Sequence, residues 1–405
     1  MTVSLDRPTR PVSVVAPDPA VRWLAVLALA LGGFAIGTAE FVAMGLLPDI
    51  ASSLRITEPA AGHVISAYAL GVVIGAPIIA AVAARVPRKT LLLTLMAVFT
   101  LGNLASVLAP SYGTLMIARF VAGLPHGAYF GVAALAATHL MGRQNRAKAV
   151  AHVMSGLTVA TVIGVPMASW LGQLLGWRSA FALVVAIGAT TLTALWFWLP
   201  AQLRSMHITS PLTELAALKR VQVWLALAVG MIGFGGMFAV YTYISTTMTD
   251  VAGLPRSLVP LALMVFGAGM VVGNLVGGRL ADQSVIRALY LSMGALGVIL
   301  AVFVLASHNP WTALLVLFGI GAAGSAVAPA LQTRLMDVAH DAQTLAAALN
   351  HSALNIGNAT GAWIGGLVIA AGFGYTAPAA AGALLAAAGI VVLTVSVALQ
   401  RRQLA

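Results

Sequence analysis

Cysteine is missing from this 405-residue chain. Its absence excludes disulfide scaffolds, Cys-ligated zinc, iron–sulfur clusters and thiol catalysis. Charge is scarce as well. Asp, Glu, Lys and Arg together make up 8% of the residues, against about 25% in soluble domains. So little charge excludes a soluble enzyme of this size, and the same figures exclude disorder, which needs low hydrophobicity and high net charge. What the chain has in excess is apolar side chains, 60% of the total, with a mean hydropathy of +1.00. A net charge of +11 would suggest nucleic acid as the partner of a soluble protein. Here the basic residues stand between long apolar runs, where they set topology instead. The sequence therefore describes an integral membrane protein that has the lipid bilayer as a partner and no nucleic acid.

A bilayer-crossing helix needs about 20 mainly apolar residues. Twelve such runs are predicted, near 23–47, 62–84, 91–109, 112–140, 147–172, 178–199, 222–249, 257–281, 286–306, 310–333, 342–371 and 376–399. The short alternating segments of a membrane barrel are not found. The first run, Trp23 to Leu47, is too long for the roughly 7–15-residue core of a cleaved signal.

With the N-terminus in the cytoplasm, that side receives Arg7, Arg10, Arg22, Arg85, Arg88, Lys89, Arg143, Arg146, Lys148, Arg204, Lys219 and Arg220. It later receives Arg279, Arg287, Arg334, Arg401 and Arg402, while the other side receives only Arg55, Arg178 and Arg256. This asymmetry places both termini in the cytoplasm and requires an even number of spans.

The longest polar interruption, with Pro211 inside it, falls in the middle of the chain. The expected organisation is a flexible cytoplasmic N-terminus at 1–22, a six-helix half at 23–199, a cytoplasmic linker at 200–221, a second six-helix half at 222–399 and a cytoplasmic tail at 400–405. Two equal halves suggest an internal repeat with a substrate site between them near mid-membrane. The best sequence echo is Arg85-Val86-Pro87-Arg88-Lys89 against Gly278-Arg279-Leu280-Ala281-Asp282.

Ionisable groups inside a bilayer are expensive and mark function by default. Two sit well inside predicted spans, Glu40 in the first and Arg119 in the fourth. At 1.5 Å per residue each lies roughly 10–12 Å from the outer end of its helix, so their depths match. Glu40 is read as a proton carrier whose affinity Arg119 tunes, the alternative being a static ion pair. Gly33, Gly37, Glu40, Phe41 and Met44 share one helix face, as do Arg119, Gly123, His126, Gly127 and Phe130.

Phe41, Met44, His126 and Phe130 are candidate pocket residues, and His126 is a proton relay, a substrate hydrogen-bonder or a neutral histidine bonded to a carbonyl. The seventh span adds Phe238 and Tyr241, near Tyr243 and Ser245. The eleventh adds Asn350, Asn355 and Asn358, with His351. Uncharged polar groups in a membrane either line a wet cavity or bond across helices. In the fifth span, Gly156, Gly164 and Pro166 predict tight packing and a bend.

No phosphate-binding GxxxxGK[ST] loop, HExxH or GxSxG occurs, so neither ATP-driven transport by this chain alone nor a hydrolytic enzyme is expected. No carbonyl filter or charged ring points to a channel. Several stretches carry a family resemblance: GTAEFVAMGLLPDIA at 37–51, ISAYALGVVIGAP at 65–77, IARFVAGLPHGAYFGV at 117–132 and SGLTVATVIGVP at 155–166. With them go GWRSAF at 176–181, YTYIS at 241–245, GNLVGGRLAD at 273–282 and LNIGNATGAWIGG at 354–366. The chain resembles the major facilitator superfamily, in its twelve-span drug:proton antiporter branch.

The resemblance implies an all-α fold of two pseudo-symmetric six-helix halves and proton-coupled efflux by alternating access across the bacterial inner membrane. It implies a structural role for Asp49, proton coupling at Arg119, an antiporter motif over Gly156–Pro166, and gating roles for Arg85, Arg88, Lys89, Arg279 and Asp282. The sequence departs from the family pattern after the second span. Ala84 and Pro87 stand where an acid and a glycine are usual.

The reading is thus an exporter of small amphipathic, drug-like molecules. It needs no cofactor or metal beyond a proton gradient and works as a monomer. A sugar or metabolite exporter of the same fold, and a non-transporting receptor, are the alternatives.

Overall fold

The structure is a computed structural model describing residues 19–83, 86–142, 145–200, 219–339 and 343–404. Arg85, Arg143 and most of the expected 200–221 linker lie outside the described residues, as does nearly all of the 1–22 segment. Among the described residues there is no strand. Among the same residues, twelve helices are long and apolar enough to span a membrane: Val21–Gly45, Glu58–Ala76, Arg88–Leu108, Tyr112–Met141, Lys148–Leu175, Trp177–Trp198, Val221–Thr242, Arg256–Gln283, Val285–Ala306, Pro310–Ala339, Leu349–Ala370 and Ala377–Arg402. They are called the first to twelfth spans below.

Local chemistry explains where these helices begin and end. The fourth starts on a reciprocal capping box, in which Ser111 and Thr114 each satisfy the other's backbone N–H. The Ser284 hydroxyl accepts the Arg287 N–H at the head of the ninth. Between spans, Gly142 and Gly176 turn the chain at φ +88°, a conformation glycine adopts without steric cost.

The helices differ from the expected runs at several points, the seventh among them, which is broken at Phe234 and Tyr243. A short helix, Leu47–Leu54, follows the first span. The fourth span is interrupted after Gly123 and resumes at His126, because Pro125 cannot donate to the ladder. The tenth helix runs to Ala339, carrying Pro329 within it.

The outer belt is apolar. Leu108, Ile117, Leu175, Phe197, Leu305, Leu315 and Leu384 are all strongly exposed, which suits lipid and not water. Inside, the first six spans meet the last six along two seams. On one, the second span packs against the eleventh, with the Ser66 hydroxyl donating to the Ala359 carbonyl at 3.4 Å. On the other, the fifth packs against the eighth, with Gly267 against Thr161.

Candidate functional site

The charges that the sequence singled out are enclosed. Arg119 is fully buried and Glu40 is 7% exposed. They form no ion pair, and among the described residues the one salt bridge lies elsewhere. Instead, Arg119 Nη2 donates to the carbonyl of Ala39, the residue before Glu40, at 3.0 Å. The guanidinium lies 4.4 Å from the ring centre of Tyr68 and 5.3 Å from that of Phe181. The static ion pair is therefore not what holds Arg119. One carbonyl and two aromatic faces do so, an arrangement that suits a flat, weakly hydrated cation. Glu40 stays within electrostatic reach of Arg119, Tyr68 and, from the seventh span, Tyr241.

A second cluster lies beside the first. The Tyr68 hydroxyl and His126 Nδ1 are 3.1 Å apart, so His126 is bonded to a side chain and not to a carbonyl. His126 and Phe130 have ring centres 5.4 Å apart. His351, reaching across from the eleventh span, stacks on Phe130 at 6.0 Å and 4° and lies 6.5 Å from His126. Tyr68 thus joins the Arg119 site to a pair of imidazoles contributed by opposite sets of spans.

The aromatic positions meet between the same two sets of spans. Phe41 stacks on Phe238 at 6.1 Å and meets Tyr241 edge-on at 6.0 Å. Tyr241 in turn stacks on Phe266 at 3.8 Å. Met44 is buried in the same core. Asn350, Asn355 and Asn358 are all buried. Asn355 Nδ2 donates to the His351 carbonyl at 3.0 Å. The Oδ1 atoms of Asn350 and Asn355 and both amide atoms of Asn358 have no protein partner. Buried amides left without protein partners are the groups a polar ligand or ordered water satisfies.

The motif residues play packing and end-capping roles. Gly156 lies so close to the first helix that a Cβ would collide with the Ala30 carbonyl oxygen, and one at Gly164 would strike the Thr38 hydroxyl. Where a bend was expected, the helix carries a π-helical turn at Ala160–Gly164, just ahead of Pro166. Asp49 pairs with Arg256 across the two sets of spans. Lys89 Nζ donates to the Trp196 carbonyl at 2.7 Å, and Arg88 opens the third helix. Arg279 and Asp282 are exposed at the end of the eighth helix.

Two features escaped the sequence reading. Tyr68 carries no signal in an apolar helix until its partners are seen. Arg334 was placed beyond its span, yet it is 5% exposed. It donates to Gln222, Ser396 and Gln400 at 3.1, 3.3 and 2.8 Å.

The description "Major Facilitator Superfamily" belongs to the family model that matches residues 29–342 and 247–404. The chain is 41% identical to the inner membrane transport protein YdhP of Escherichia coli K12, over 92% of this chain and 95% of that protein. It is 35% identical to a chloramphenicol resistance protein of Streptomyces lividans, covering 90% and 94%. Against a probable sugar efflux transporter of Pasteurella multocida it is 31% identical, covering 90% of each chain. Among solved structures, a bacterial homologue of the human lysosomal transporter Spinster superimposes with a TM-score of 0.69. The identity there is 18%, and the match covers 94% of this chain and 96% of that one.

Proposed function

The chain belongs to the major facilitator superfamily and is a multi-pass membrane transporter, and from that premise we propose that it exports small amphipathic molecules in exchange for protons. It does so across the bacterial inner membrane, as a monomer, with both termini in the cytoplasm. The observation that carries the proposal is the state of Glu40. Its carboxyl group is enclosed between the two sets of spans, and no cation is bonded to it. Arg119 approaches but is held by the Ala39 carbonyl and the rings of Tyr68 and Phe181. A carboxyl group so placed is free to gain and lose a proton, and Arg119 biases that equilibrium without locking it.

Alternating access follows if the environment of Glu40 differs between the inward- and outward-open arrangements, since proton binding then shifts the equilibrium between them. The aromatic surface of Phe41, Phe238 and Tyr241 suits apolar rings, as in the drug that names one relative. The amide atoms of Asn350, Asn355 and Asn358 favour a second reading, a hydroxyl-rich cargo of the kind that names another.

The test is the purified protein in liposomes with a pH dye inside and an acid gradient across the membrane. Chloramphenicol and arabinose represent the two cargo classes. Cargo-evoked proton movement is expected, with chloramphenicol stronger than arabinose, and Glu40→Gln is expected to abolish it while the protein still folds. Cargo crossing without proton movement would refute the antiport reading, and undiminished exchange in Glu40→Gln would refute the role of Glu40.

A further inference from the structure

At the end of the molecule where the second span begins, the two sets of spans are tied together by groups that the proposed proton site does not use. Glu58 opens the second helix. Its carboxylate accepts the Thr246 hydroxyl at 2.6 Å, from the chain that continues the seventh span. The Tyr375 hydroxyl, from the loop between the eleventh and twelfth spans, is turned to the same carboxylate. Tyr375 lies outside the spans, and burial together with the neighbouring charges of Glu58 and Asp250 pushes it up to about 12. It therefore keeps its proton at any working pH and remains a donor.

Among the described residues, Asp250 is the other carboxylate within electrostatic reach of Glu58, and it belongs to the opposite set of spans. Tyr243 packs over Gly62 and Gly366 and donates to the Ala362 carbonyl at 2.9 Å. Nearby, Asp49 and Arg256 form the ion pair already described. His63 is bonded to Tyr112 of its own set of spans at 2.9 Å and does not bridge the two sets.

We infer that Glu58 is a second proton-accepting site, at the outer mouth, and that its protonation favours closure of that mouth. The physical reason is what closure does to the carboxylate. Drawing the two sets of spans together removes Glu58 from water and brings it near Asp250. Both changes oppose a negative charge there, and burial, the largest effect, outweighs the hydroxyls of Thr246 and Tyr375 that favour it. A proton relieves both costs. The neutral carboxyl still accepts from Thr246 through its carbonyl oxygen.

By linkage, the arrangement that binds the proton more tightly is favoured as pH falls. Acid outside would therefore close the outer mouth after cargo has left, and a neutral exterior would let it open. This extends the proposed exchange by giving the outer gate its own proton. It rests on the proposed orientation but not on Glu40.

The absence of cysteine makes the test direct. Ser66 lies on the seam, bonded across it to Ala359, so Ser66→Cys reports opening. Gly113→Cys, in the open at the outer end of the fourth span, serves as reference thiol at each pH, because thiol reactivity itself rises with pH. Full-length protein in spheroplasts is treated with a membrane-impermeant maleimide.

Relative to the reference, labelling of Ser66→Cys is expected to fall by about tenfold between pH 8 and pH 5.5, one unit of proton affinity being worth that factor. Glu58→Gln should label slowly at both pH values. His63→Gln should retain the full pH response, and Asp250→Asn should show a smaller one. The inference is overturned if the pH response survives in Glu58→Gln, if the parent shows none, or if the reference thiol cannot be labelled from outside. All labelling is done in the Glu40→Gln background, where the proposed proton carrier adds no pH response of its own, so failure of the proton-carrier reading, read by liposome flux, and failure of the Glu58 reading are distinguishable.

Discussion

Arg119 shows how a charge can be kept inside a membrane protein without an opposite charge bonded to it. Its guanidinium uses one carbonyl acceptor and two aromatic faces, and its Nε and Nη1 have no protein partner. A lysine ammonium is compact and strongly hydrated, and it cannot lie flat between two rings. Arg119→Lys is therefore expected to lose about 1–2 kcal/mol of stability in a detergent melting experiment, from the stacking and the bond to Ala39. Proton-coupled flux should fall more than stability does. Parent-like flux would show that the flat cation is not required. Glu40 and Arg119 were legible as candidates because ionisable residues inside apolar runs are rare. Tyr68 was not, because its role depends on Arg119 on one side and His126 on the other, and both lie on another helix.

At the scale of the element, the fifth span shows what small residues do when hydrophobic burial no longer drives helix association. In lipid, helices associate through close van der Waals packing, so backbones approach wherever side chains permit it. Gly156 permits contact with the first helix at Ala30, and the next turns widen into the π-helical stretch Ala160–Gly164 before Pro166. Gly156→Val must push the first helix away from its backbone contact. It is expected to lower stability by roughly 1–3 kcal/mol, read as a lower melting temperature in detergent. Gly113→Ala, with nothing within 4 Å of the added methyl, should stay within about 0.5 kcal/mol of the parent. Equal melting of the two variants would contradict the packing argument. The pattern of Gly156, Gly164 and Pro166 announced a departure from regular helix, but the π turn at Ala160–Gly164 is visible only in the backbone.

For the whole molecule, the charge distribution and the cross-seam contacts describe one axis. Arg178 donates to Ala109 at 2.7 Å and Arg256 pairs with Asp49, at the same end as the Glu58 cluster. Lys89 is anchored at the other end, on Trp196. If the positive-inside rule holds, the end with few basic residues faces outward. A phosphatase reporter that is active only outside the cytoplasm should then be active when inserted at Ser307–Asn309, between the ninth and tenth spans, and inactive after Leu404. The opposite pattern would invert the proposed orientation and make the reading an importer's geometry.

Composition and period were enough to establish a multi-pass helical membrane protein and twelve spans, because a bilayer demands about 20 apolar residues per crossing and punishes every unpaired polar group. Motif stretches were enough to point to the family. Tertiary structure decided which groups meet. It placed Arg119 on a carbonyl and two rings, His351 against Phe130, Arg334 among Gln222, Ser396 and Gln400, and Glu58 against Thr246 from the opposite set of spans. Helical periodicity places a residue on a face of its own helix, but it holds no information about which face of another helix lies opposite. That pairing is set by close packing between segments distant in sequence, where the site is built.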